Sequence, residues 1–427
     1  MFKSLIQKKL EGYVRTYFIK HSEVKLVVVT GSVGKTSTKL AIATVLAERL
    51  RVRVHEGNHN AELSAPLAIL GIEYPESIKS VGAWLAVFGA AQKRIAQPTD
   101  VDVIIQEIGS DRIGQVPHAG TYLRPDVAVV TAVSPEHMEY FGDIHEVAKE
   151  ELAVANFSQQ ALINRDDIDG EYAQYLTNPS ISTYGSSAAA EYYFIDDDFS
   201  VENGYSGYFV AKDWQDQVPA TVKVVGDHSI RPAIAAAAVA VKLGLSASEI
   251  TSGLGKIRPV PGRMNLLRGV KNSILIDDSY NSSPLAVSSA LKALYALSVP
   301  QKIAVLGSMN ELGTSSEAEH QALGELCDPN QLAWVVTVGD EAMTHTAPVA
   351  KRRGCQVKSF KTALEAGAFV HQVIDAEAAV LFKGSEGRIY LEEAIKIVLH
   401  STDDEKQLVR QTPAWTQTKT TFFSKFN

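Results

Sequence analysis

One segment near the amino terminus constrains the fold more than any other: a β-branched run, then a turn with two glycines, then a helical pattern. Residues 25–30 read Lys-Leu-Val-Val-Val-Thr, residues 31–37 read Gly-Ser-Val-Gly-Lys-Thr-Ser, and a helical pattern continues from Thr38 to Leu50. This order predicts a strand, a phosphate-binding loop and a helix whose first N–H groups face an anion. The chain is therefore expected to bind a nucleoside triphosphate.

The loop motif reads T-G-x-x-G-K-T and departs from the general G-x-x-x-x-G-K-[ST] pattern, because Val29 occupies the position of the first glycine. We expect Lys35 to reach the outer phosphates and the Thr36 hydroxyl to bind Mg²⁺. An ordinary turn between strand and helix is the alternative, and the flanking strand and helix patterns count against it. The residues expected to bind the nucleotide here are Gly31, Ser32, Val33, Gly34, Lys35, Thr36 and Ser37.

The length, net charge, cysteine content and apolar runs of the chain argue against several classes of protein. With 427 residues the chain is long enough for two or three domains, and its net charge of −8 argues against non-specific nucleic-acid binding. Cys327 and Cys355 lack metal-ligand spacing, so no disulfide framework is expected and a reducing cytoplasm fits. No apolar run is long enough to cross a membrane, so we expect no stable membrane insertion.

The first residues form a helical pattern of their own. Packing of this helix on the domain that follows is favoured over a role as a membrane-surface helix, because amphipathic helices usually face a core. The apolar residues at helical spacing are Phe2, Leu5, Ile6, Leu10, Tyr13, Val14, Tyr17 and Phe18.

Strand-like runs alternate with helical patterns along the rest of the chain, which predicts an α/β fold with parallel sheets. Between residues 184 and 225 short alternating segments indicate an antiparallel excursion, followed by an Ala-rich buried helix at 230–243. The acidic run 196–198 is interpreted as a solvated turn rather than a metal site. The other predicted strands are 101–106, 127–133, 161–164, 273–276, 302–306, 333–338 and 379–382.

A Pro- and Gly-rich stretch, residues 258–262, marks a boundary between two α/β units. We accordingly predict four segments. They are an amino-terminal amphipathic helix (1–24), a central nucleotide-binding domain (25–261), a second α/β domain (262–400) and a tail (401–427) that either docks or remains mobile.

Polar residues follow two strands of the predicted central sheet. Glu107 follows the strand at 101–106, and His137 follows the strand at 127–133. The carboxyl ends of parallel strands form the active edge of such a sheet. Glu107 is therefore a candidate Mg²⁺ ligand, with a helix-capping role as the alternative. At the same edge, a metal or phosphate role is favoured for His137 over a purely structural one.

Further polar motifs lie beyond the boundary. They read Pro-Gly-Arg-Met at 261–264, Asp-Asp-Ser-Tyr-Asn at 277–281, Met-Asn-Glu-Leu-Gly at 309–313, with His320 further on, and Lys-Gly-Ser at 383–385. Two adjacent acids on a buried strand are costly unless something binds them.

Taken together and in this order, these motifs resemble the Mur ligase family, over residues 24–399. The Asp-Asp-Ser-Tyr-Asn and Met-x-Glu-Leu-Gly motifs are most similar to its D-alanyl-D-alanine-adding branch. The resemblance implies a central P-loop ATPase domain with a parallel sheet and a carboxyl-terminal Rossmann-like α/β domain. It also implies an ATP-dependent ligase that uses Mg²⁺ and forms an amide bond through an acyl phosphate.

The resemblance also implies roles for single residues. Lys35 would hold the β- and γ-phosphates, Thr36 and Glu107 the first Mg²⁺, and His137 the second. The residues implied to contact the nucleotide from elsewhere are His228, near the base, and Arg263, Asp278, Tyr280 and Asn281.

Three departures from the family pattern limit what the resemblance implies about substrates. Only 24 residues precede the first predicted strand, so we expect the family's amino-terminal recognition domain to be missing, which leaves room for a protein partner in its place. The family's G-N-x-N-N-x-x-G-x-P stretch is altered at residues 57–66. Its base-contacting H-N-x-x-N motif becomes His-Ser-Ile-Arg-Pro at residues 228–232, which loses both asparagines.

A further departure concerns the second metal site. Many Mur ligases use a lysine that CO₂ converts to a carbamate, and an ungapped count from His137 places Glu151 at that position. A glutamate already ends in anionic oxygens, so we hypothesise that Glu151 serves this site directly. The alternatives are a solvated helix glutamate and a register slip that restores Lys149.

The predicted function is an ATP-dependent amide ligase. It would add an amino acid or a dipeptide such as D-Ala-D-Ala to a small-molecule or peptide carboxylate that resembles a peptidoglycan precursor. The alternatives are a polyglutamyl or cyanophycin-like acceptor, or a nucleotide-binding partner subunit without ligase activity of its own. The intact loop, Glu107 and His137 favour an enzyme.

Overall fold

The computed structural model describes residues 2–55, 60–75 and 77–426. Its contacts divide the chain into two compact units. The first unit takes in the chain up to residue 134 together with 140–223 and 230–258. The second unit takes in 259–427 together with two short segments, 135–139 and 224–229.

Within the described residues, the first unit contains one nine-stranded sheet with the strand order β2-β3-β1-β4-β5-β6-β7-β8-β9. Neighbours are parallel from β2 to β7, whereas β7, β8 and β9 pair antiparallel, which confirms the predicted excursion. The strands are β1 Lys25–Thr30, β2 Val52–Val54, β3 Val103–Glu107, β4 Val127–Val130, β5 Gln160–Asn164, β6 Ile181–Gly185, β7 Tyr192–Ser200, β8 Gly204–Ala211 and β9 Val218–Val222.

One detail of this sheet corrects the sequence interpretation. The acidic run 196–198 lies inside strand β7 and not in a turn, and its side chains are exposed. Strand β8 pairs with this stretch, and the register shifts between Asp196 and Asp198. Successive side chains of a strand point to opposite faces, so both faces of β7 are exposed along this stretch and the acids are solvated without a turn.

Helices flank the strands of the first part of the chain. The predicted Ala-rich helix is found as α8. The helices are α1 Phe2–Lys20, α2 Lys35–Leu46, α3 Ser64–Leu70, α4 Val81–Ala96, α5 Gln115–Ala119, α6 Met138–Phe141, α7 Ile144–Asn156, α8 Asp227–Lys242 and α9 Ala247–Lys256.

Helix α1 packs on the first unit, as its apolar spacing predicts. Ile6 and Leu10 join a buried cluster with Leu67 of α3 and Trp84 of α4. Full burial of such a side chain contributes roughly 1.5–3 kcal/mol, so this face anchors the helix. Leu5, on the predicted apolar face, is exposed instead. Among the described residues, no helix is both long and apolar enough to cross a membrane.

The second unit contains a six-stranded sheet, counted over its described residues, with the order β10-β11-β15-β12-β13-β14. Only β10 runs antiparallel to its neighbour. The elements are β10 Asn265–Arg268, β11 Ile274–Asp278, α10 Pro284–Ala296, β12 Lys302–Gly307, α11 Ser316–Leu326, β13 Trp334–Val338, α12 Ala347–Arg352, β14 Val357–Phe360, α13 Ala363–Val373, β15 Ala379–Lys383, α14 Glu392–Val398 and α15 Pro413–Phe423.

This second sheet, together with the first, confirms the predicted α/β class. The strands predicted at 273–276, 302–306, 333–338 and 379–382 are β11, β12, β13 and β15. Strands β10 and β14 were not predicted, because they are short edge strands whose side chains are mostly half-buried or exposed. The tail, which the sequence left open, docks: Leu408 lies in the core of the unit, and the Phe422 and Phe423 rings pack against Tyr390.

Candidate functional site

The loop after β1 has the backbone conformation that its glycines predict. Gly31 has a φ of +126°, and a Cβ there would lie 2.3 Å from Thr131 Oγ1 and 2.8 Å from the Ala132 nitrogen. Gly34, with a φ of +85°, immediately precedes helix α2. A side chain is strained at such angles and would clash at Gly31, so the turn depends on glycine. The helix begins at Lys35, earlier than the predicted Thr38.

Lys35 and Thr36 therefore lie in the first turn of α2. The Lys35 ammonium folds back over the loop and donates hydrogen bonds to the carbonyl oxygens of Gly31 at 2.5 Å and Ser32 at 3.4 Å. The buried Thr36 hydroxyl donates to Glu107 Oε2 at 3.0 Å. A positive charge, a hydroxyl and the N–H groups of a helix start thus lie together, which is the arrangement that binds phosphate.

Glu107 ends strand β3 beside Val29 of β1, and its carboxylate is buried. Besides Thr36, it contacts the Lys39 ammonium at 3.3 Å and the Asn60 amide nitrogen at 3.3 Å. Lys39 is itself only 1% exposed. Sequence reasoning missed Lys39, although its position one helical turn after Lys35 places it on the same face of α2.

Glu151 lies on helix α7, and its carboxylate reaches the same loop. Its Oε2 atom accepts a hydrogen bond from the Gly31 backbone nitrogen at 2.7 Å and another from the Thr30 hydroxyl. Glu151 is buried, which excludes the solvated-glutamate alternative for its placement. Lys149 is exposed and pairs with Glu146, away from these contacts.

The neighbouring Glu150 is also buried. It accepts hydrogen bonds from the backbone nitrogens of Gly114 and Val116 at 2.7 Å each and from the Ser110 hydroxyl at 2.9 Å. Glu150 therefore fixes the loop that follows β3, while Glu151 faces the loop that follows β1.

His137 belongs to the second unit through the segment 135–139. Its φ is +51°, and its Nδ1 atom lies 2.7 Å from Glu311 Oε2. Glu311 comes from the Met-Asn-Glu-Leu-Gly motif and also has a positive φ, +64°. The motif was identified in the sequence, but no role was predicted for Glu311. A positive φ is uncommon at a non-glycine residue and costs free energy.

The adjacent acids of the second unit both have partners. Asp277 is fully buried and accepts hydrogen bonds from the Gly262 nitrogen at 3.0 Å and the Ser279 hydroxyl at 2.6 Å. Burial raises the pKa of Asp277 to about 6. Asp278 pairs with Lys383 at 2.8 Å and accepts from the Met264 nitrogen at 3.2 Å. These contacts offset part of the expected cost of two buried acids, but at Asp277 burial outweighs the hydrogen bonds.

The other predicted residues of the second unit lie around the end of β11. The Arg263 guanidinium lies over the Tyr280 ring, 4.2 Å from its centre. Asn281 is exposed, and its backbone carbonyl accepts from Lys383 at 2.6 Å. The structure thus brings together Arg263, Asp278, Tyr280 and Asn281.

The structure describes the altered motif at 57–66 in part and the altered motif at 228–232 in full. Gly57, Asn58 and His59 lie outside the described residues, whereas Asn60 contacts Glu107. His228 lies in the first turn of α8. Arg231, one turn later, pairs with Asp166 at 3.0 Å and with Asp167 at 2.5 Å.

The residues present fit a magnesium ion at the loop. No group of three or more His, Cys, Asp or Glu side chains that could hold a metal occurs in the part of the chain that the structure describes. Mg²⁺ does not need such a group, because it is commonly held by one or two carboxylates together with phosphate oxygens and water. The Thr36 hydroxyl beside the Glu107 carboxylate supplies this donor set.

Comparisons with known proteins agree with this geometry. The family model of the Mur ligase middle domain matches residues 29–240, and that of the Mur ligase glutamate ligase domain matches residues 262–386. The UDP-N-acetylmuramoyl-tripeptide–D-alanyl-D-alanine ligase of Bacillus subtilis is 25% identical over 90% of this chain and 78% of its own length. The Escherichia coli ligase of the same name is 26% identical over 78% of this chain and 68% of its own.

A solved structure shows the same fold. The MurF ligase from Thermotoga maritima in complex with ADP aligns with a TM-score of 0.74 at 23% identity, over 95% of this chain and 85% of that chain. The two family models, in this order and on either side of the residue 258 boundary, agree with the motifs read from the sequence. The chain belongs to the Mur ligase family.

Proposed function

We propose that this protein is an ATP-dependent ligase that joins a carboxylate to an amine through an acyl phosphate. The observation that carries the proposal is the group formed by Lys35, Thr36 and Glu107 at one phosphate-binding loop. A carboxylate is a poor electrophile, and its phosphorylation supplies a leaving group. Catalysis then consists mainly of positioning and of neutralising charge on phosphoryl oxygens, and these three residues serve that task.

The proposed reaction has two steps. An oxygen of the acceptor carboxylate attacks the γ-phosphorus of ATP, and ADP leaves. The amine nitrogen then attacks the acyl carbon, loses a proton, and expels phosphate that carries one oxygen of the acceptor. Lys35 stabilises the negative charge of the transferring phosphoryl group, and the N–H groups of the loop hold the phosphates in place.

The metal that assists this reaction is proposed to be Mg²⁺, held by Thr36 and Glu107. When bound, it would neutralise charge on the phosphate oxygens. Glu107 is kept in position by Lys39 and Asn60. We further propose that the Glu151 carboxylate serves a second metal position at the loop, directly or through water, because it already lies 2.7 Å from the Gly31 nitrogen. A metal or phosphate role for His137 remains a prediction.

The substrates are proposed from the relatives. Their names specify a UDP-N-acetylmuramoyl-tripeptide and D-alanyl-D-alanine. For this chain we propose a carboxylate of that class as the acceptor and D-Ala-D-Ala or a single amino acid as the amine. A polyglutamyl or cyanophycin-like acceptor is the alternative, and a protein partner that contributes to acceptor recognition is part of the same proposal. A cytoplasmic location fits the two free, buried cysteines.

The experiment is a screen of phosphate release from ATP by the purified protein. The acceptors are UDP-muramyl peptides, folates and glutamyl chains, each tested with D-Ala-D-Ala and with single amino acids. We expect release only when an acceptor and an amine are both present, with an equal amount of amide product by mass spectrometry. A nucleotide-binding subunit without ligase activity would bind ATP and form no amide with any pair.

A further inference from the structure

The tail, residues 401–426, is joined to the second unit by buried charges as well as by apolar packing. Lys419 is 4% exposed, and its ammonium lies 2.5 Å from Glu393 Oε1 and 3.4 Å from Glu392 Oε1. Glu392 lies on α14 and is fully buried. A buried carboxylate is costly without a partner, so Glu392 needs the cations that the tail supplies.

Arg410 is the second of these cations, and it does more than neutralise Glu392. Its Nε and Nη2 atoms donate to the two oxygens of Glu392 at 2.9 and 2.8 Å, as a bidentate pair. The other edge of the guanidinium donates to two consecutive backbone carbonyls, those of Ser279 at 2.7 Å and Tyr280 at 3.0 Å. Only the planar fork of arginine can serve a carboxylate and two carbonyls at once.

The tail also contacts the other side of this loop. A Cβ on Gly262 would lie 2.7 Å from Val409 Cγ1 and 3.1 Å from Tyr280 Cβ, so Val409 packs directly against the Gly262 turn. The Gly262 carbonyl in turn accepts a hydrogen bond from the Tyr280 nitrogen at 3.0 Å. Arg410 adopts a left-handed φ of +57° to make its contacts. Such a conformation costs free energy at a non-glycine residue, and the contacts offset it.

We propose that Arg410 is a positioning residue for residues 279–281, and that the tail thereby sets the affinity of this loop for nucleotide. The inference rests on the proposed function, and it takes Tyr280 and Asn281 as nucleotide contacts, which is the role that the family resemblance implies for them. The alternative is that Arg410 only attaches the tail. Lys419 separates the two alternatives, because it shares Glu392 with Arg410 but, among the described residues, pairs only with Glu392 and Glu393 and not with the loop.

The first measurement is amide hydrogen exchange in the absence of nucleotide, which does not depend on the proposed function. Arg410→Met should speed exchange by about tenfold at the amides of Ser279 and Tyr280, which donate to Asp277 and to the Gly262 carbonyl, since it removes two charge-assisted hydrogen bonds from the loop. Lys419→Met is the matched control. It should lower the melting temperature while leaving exchange at these two amides unchanged.

The second measurement is the Kd for a non-hydrolysable ATP analogue with Mg²⁺. Arg410→Met should raise this Kd about tenfold, whereas Lys419→Met should bind as the wild type does. Arg410→Lys keeps the charge but not the fork, so it should fall between the two. It also replaces Arg410→Met in both measurements if that variant fails to fold.

Several results would overturn the proposal. Equal effects of Arg410→Met and Lys419→Met would show that the tail is only a structural element. Faster exchange without weaker binding would refute the claim that this loop contacts nucleotide. Wild-type exchange and affinity in Arg410→Lys would refute a role for the guanidinium fork. Failure of the wild type to bind the analogue would instead contradict the proposed function, and the exchange data would still decide whether Arg410 holds the loop.

Discussion

The carboxylate of Glu151 lies 2.7 Å from the backbone nitrogen of Gly31, although the two residues are 120 positions apart in the chain. Helix α7 thus places a carboxylate at the loop for which we propose phosphate binding. The same oxygen also accepts from the Thr30 hydroxyl. A buried carboxylate at this place is suited to hold a cation beside the phosphates.

The first prediction concerns this carboxylate. Glu151→Gln keeps the size of the side chain and an oxygen for the Gly31 nitrogen, but removes the charge. We expect turnover to fall by about a hundredfold or more, with little change in melting temperature. Activity of the wild type should not respond to removal of bicarbonate, because no lysine needs to become a carbamate.

Lys149→Ala is the matched control on the same helix and should keep wild-type activity, since Lys149 is exposed and pairs with Glu146. Bicarbonate-dependent activity that is lost in Lys149→Ala would mean that Lys149, and not Glu151, serves the second metal position.

The second prediction concerns the buried pair of Lys39 and Glu107. Removing one member of such a pair leaves an uncompensated charge, which costs about 3–5 kcal/mol. Lys39→Met should therefore lower the free energy of unfolding by about that amount in urea titrations. Lys93→Met, at an exposed position of α4, should change it by less than about 0.5 kcal/mol. Equal stability of the two variants would show that Lys39 does not compensate Glu107.

The third prediction is a pH dependence that comes from Asp277. Its pKa in the folded state is raised to about 6 by burial, so the native protein holds this proton at a pH where the unfolded chain has released it. The contribution of Asp277 to the free energy of unfolding therefore falls as pH rises from about 4 to about 6, by about 3 kcal/mol in all.

The direction of this pH dependence is tested by measuring the free energy of unfolding of the wild type and of Asp277→Asn across this pH range. Loss of hydrogen bonds shifts the variant by a constant amount, so the informative quantity is the difference between the two curves. Stability of the wild type relative to the variant should decline with rising pH. Parallel curves, or a difference that grows in favour of the wild type, would contradict the raised pKa.

The fourth prediction concerns Lys35. Its ammonium donates to the Gly31 and Ser32 carbonyls, and its side chain is half-buried in the loop rather than part of the apolar core. Lys35→Ala should therefore fold with a nearly unchanged melting temperature but lose turnover, because charge stabilisation of the phosphoryl group is removed. Circular dichroism and the phosphate-release assay give the two readouts. A folded variant with near wild-type turnover would refute the role of the loop.

Much of the fold follows from local patterns. The strand, loop and helix around Gly31 are contiguous in sequence, so a nucleotide-binding loop could be predicted there directly. Buried strands such as β11 and β15 begin with continuous apolar runs, and these runs were predicted as strands. Strands β10 and β14 lie at sheet edges with mixed burial, so no periodic signal marked them.

The candidate site was only partly predictable, for a different reason. Glu107 was selected from its place at a strand end and Glu151 from a count along the family pattern, but the partners of both are set by tertiary contacts. Glu311 meets His137, and Arg410 meets Ser279, across separations of more than a hundred residues. A single sequence does not reveal such pairs, because nothing in the local sequence of one member identifies the other.

The central claim is that the reaction passes through an acyl phosphate, and isotopic labelling of the acceptor oxygens tests it most directly. The acceptor found in the screen is labelled with oxygen-18 in its carboxylate and turned over with ATP and the amine, and the released phosphate is analysed by mass spectrometry. An acyl-phosphate route predicts that each phosphate carries one labelled oxygen, with ADP and amide formed in equal amounts and with no label transfer in Lys35→Ala. Unlabelled phosphate, released together with amide, would contradict it.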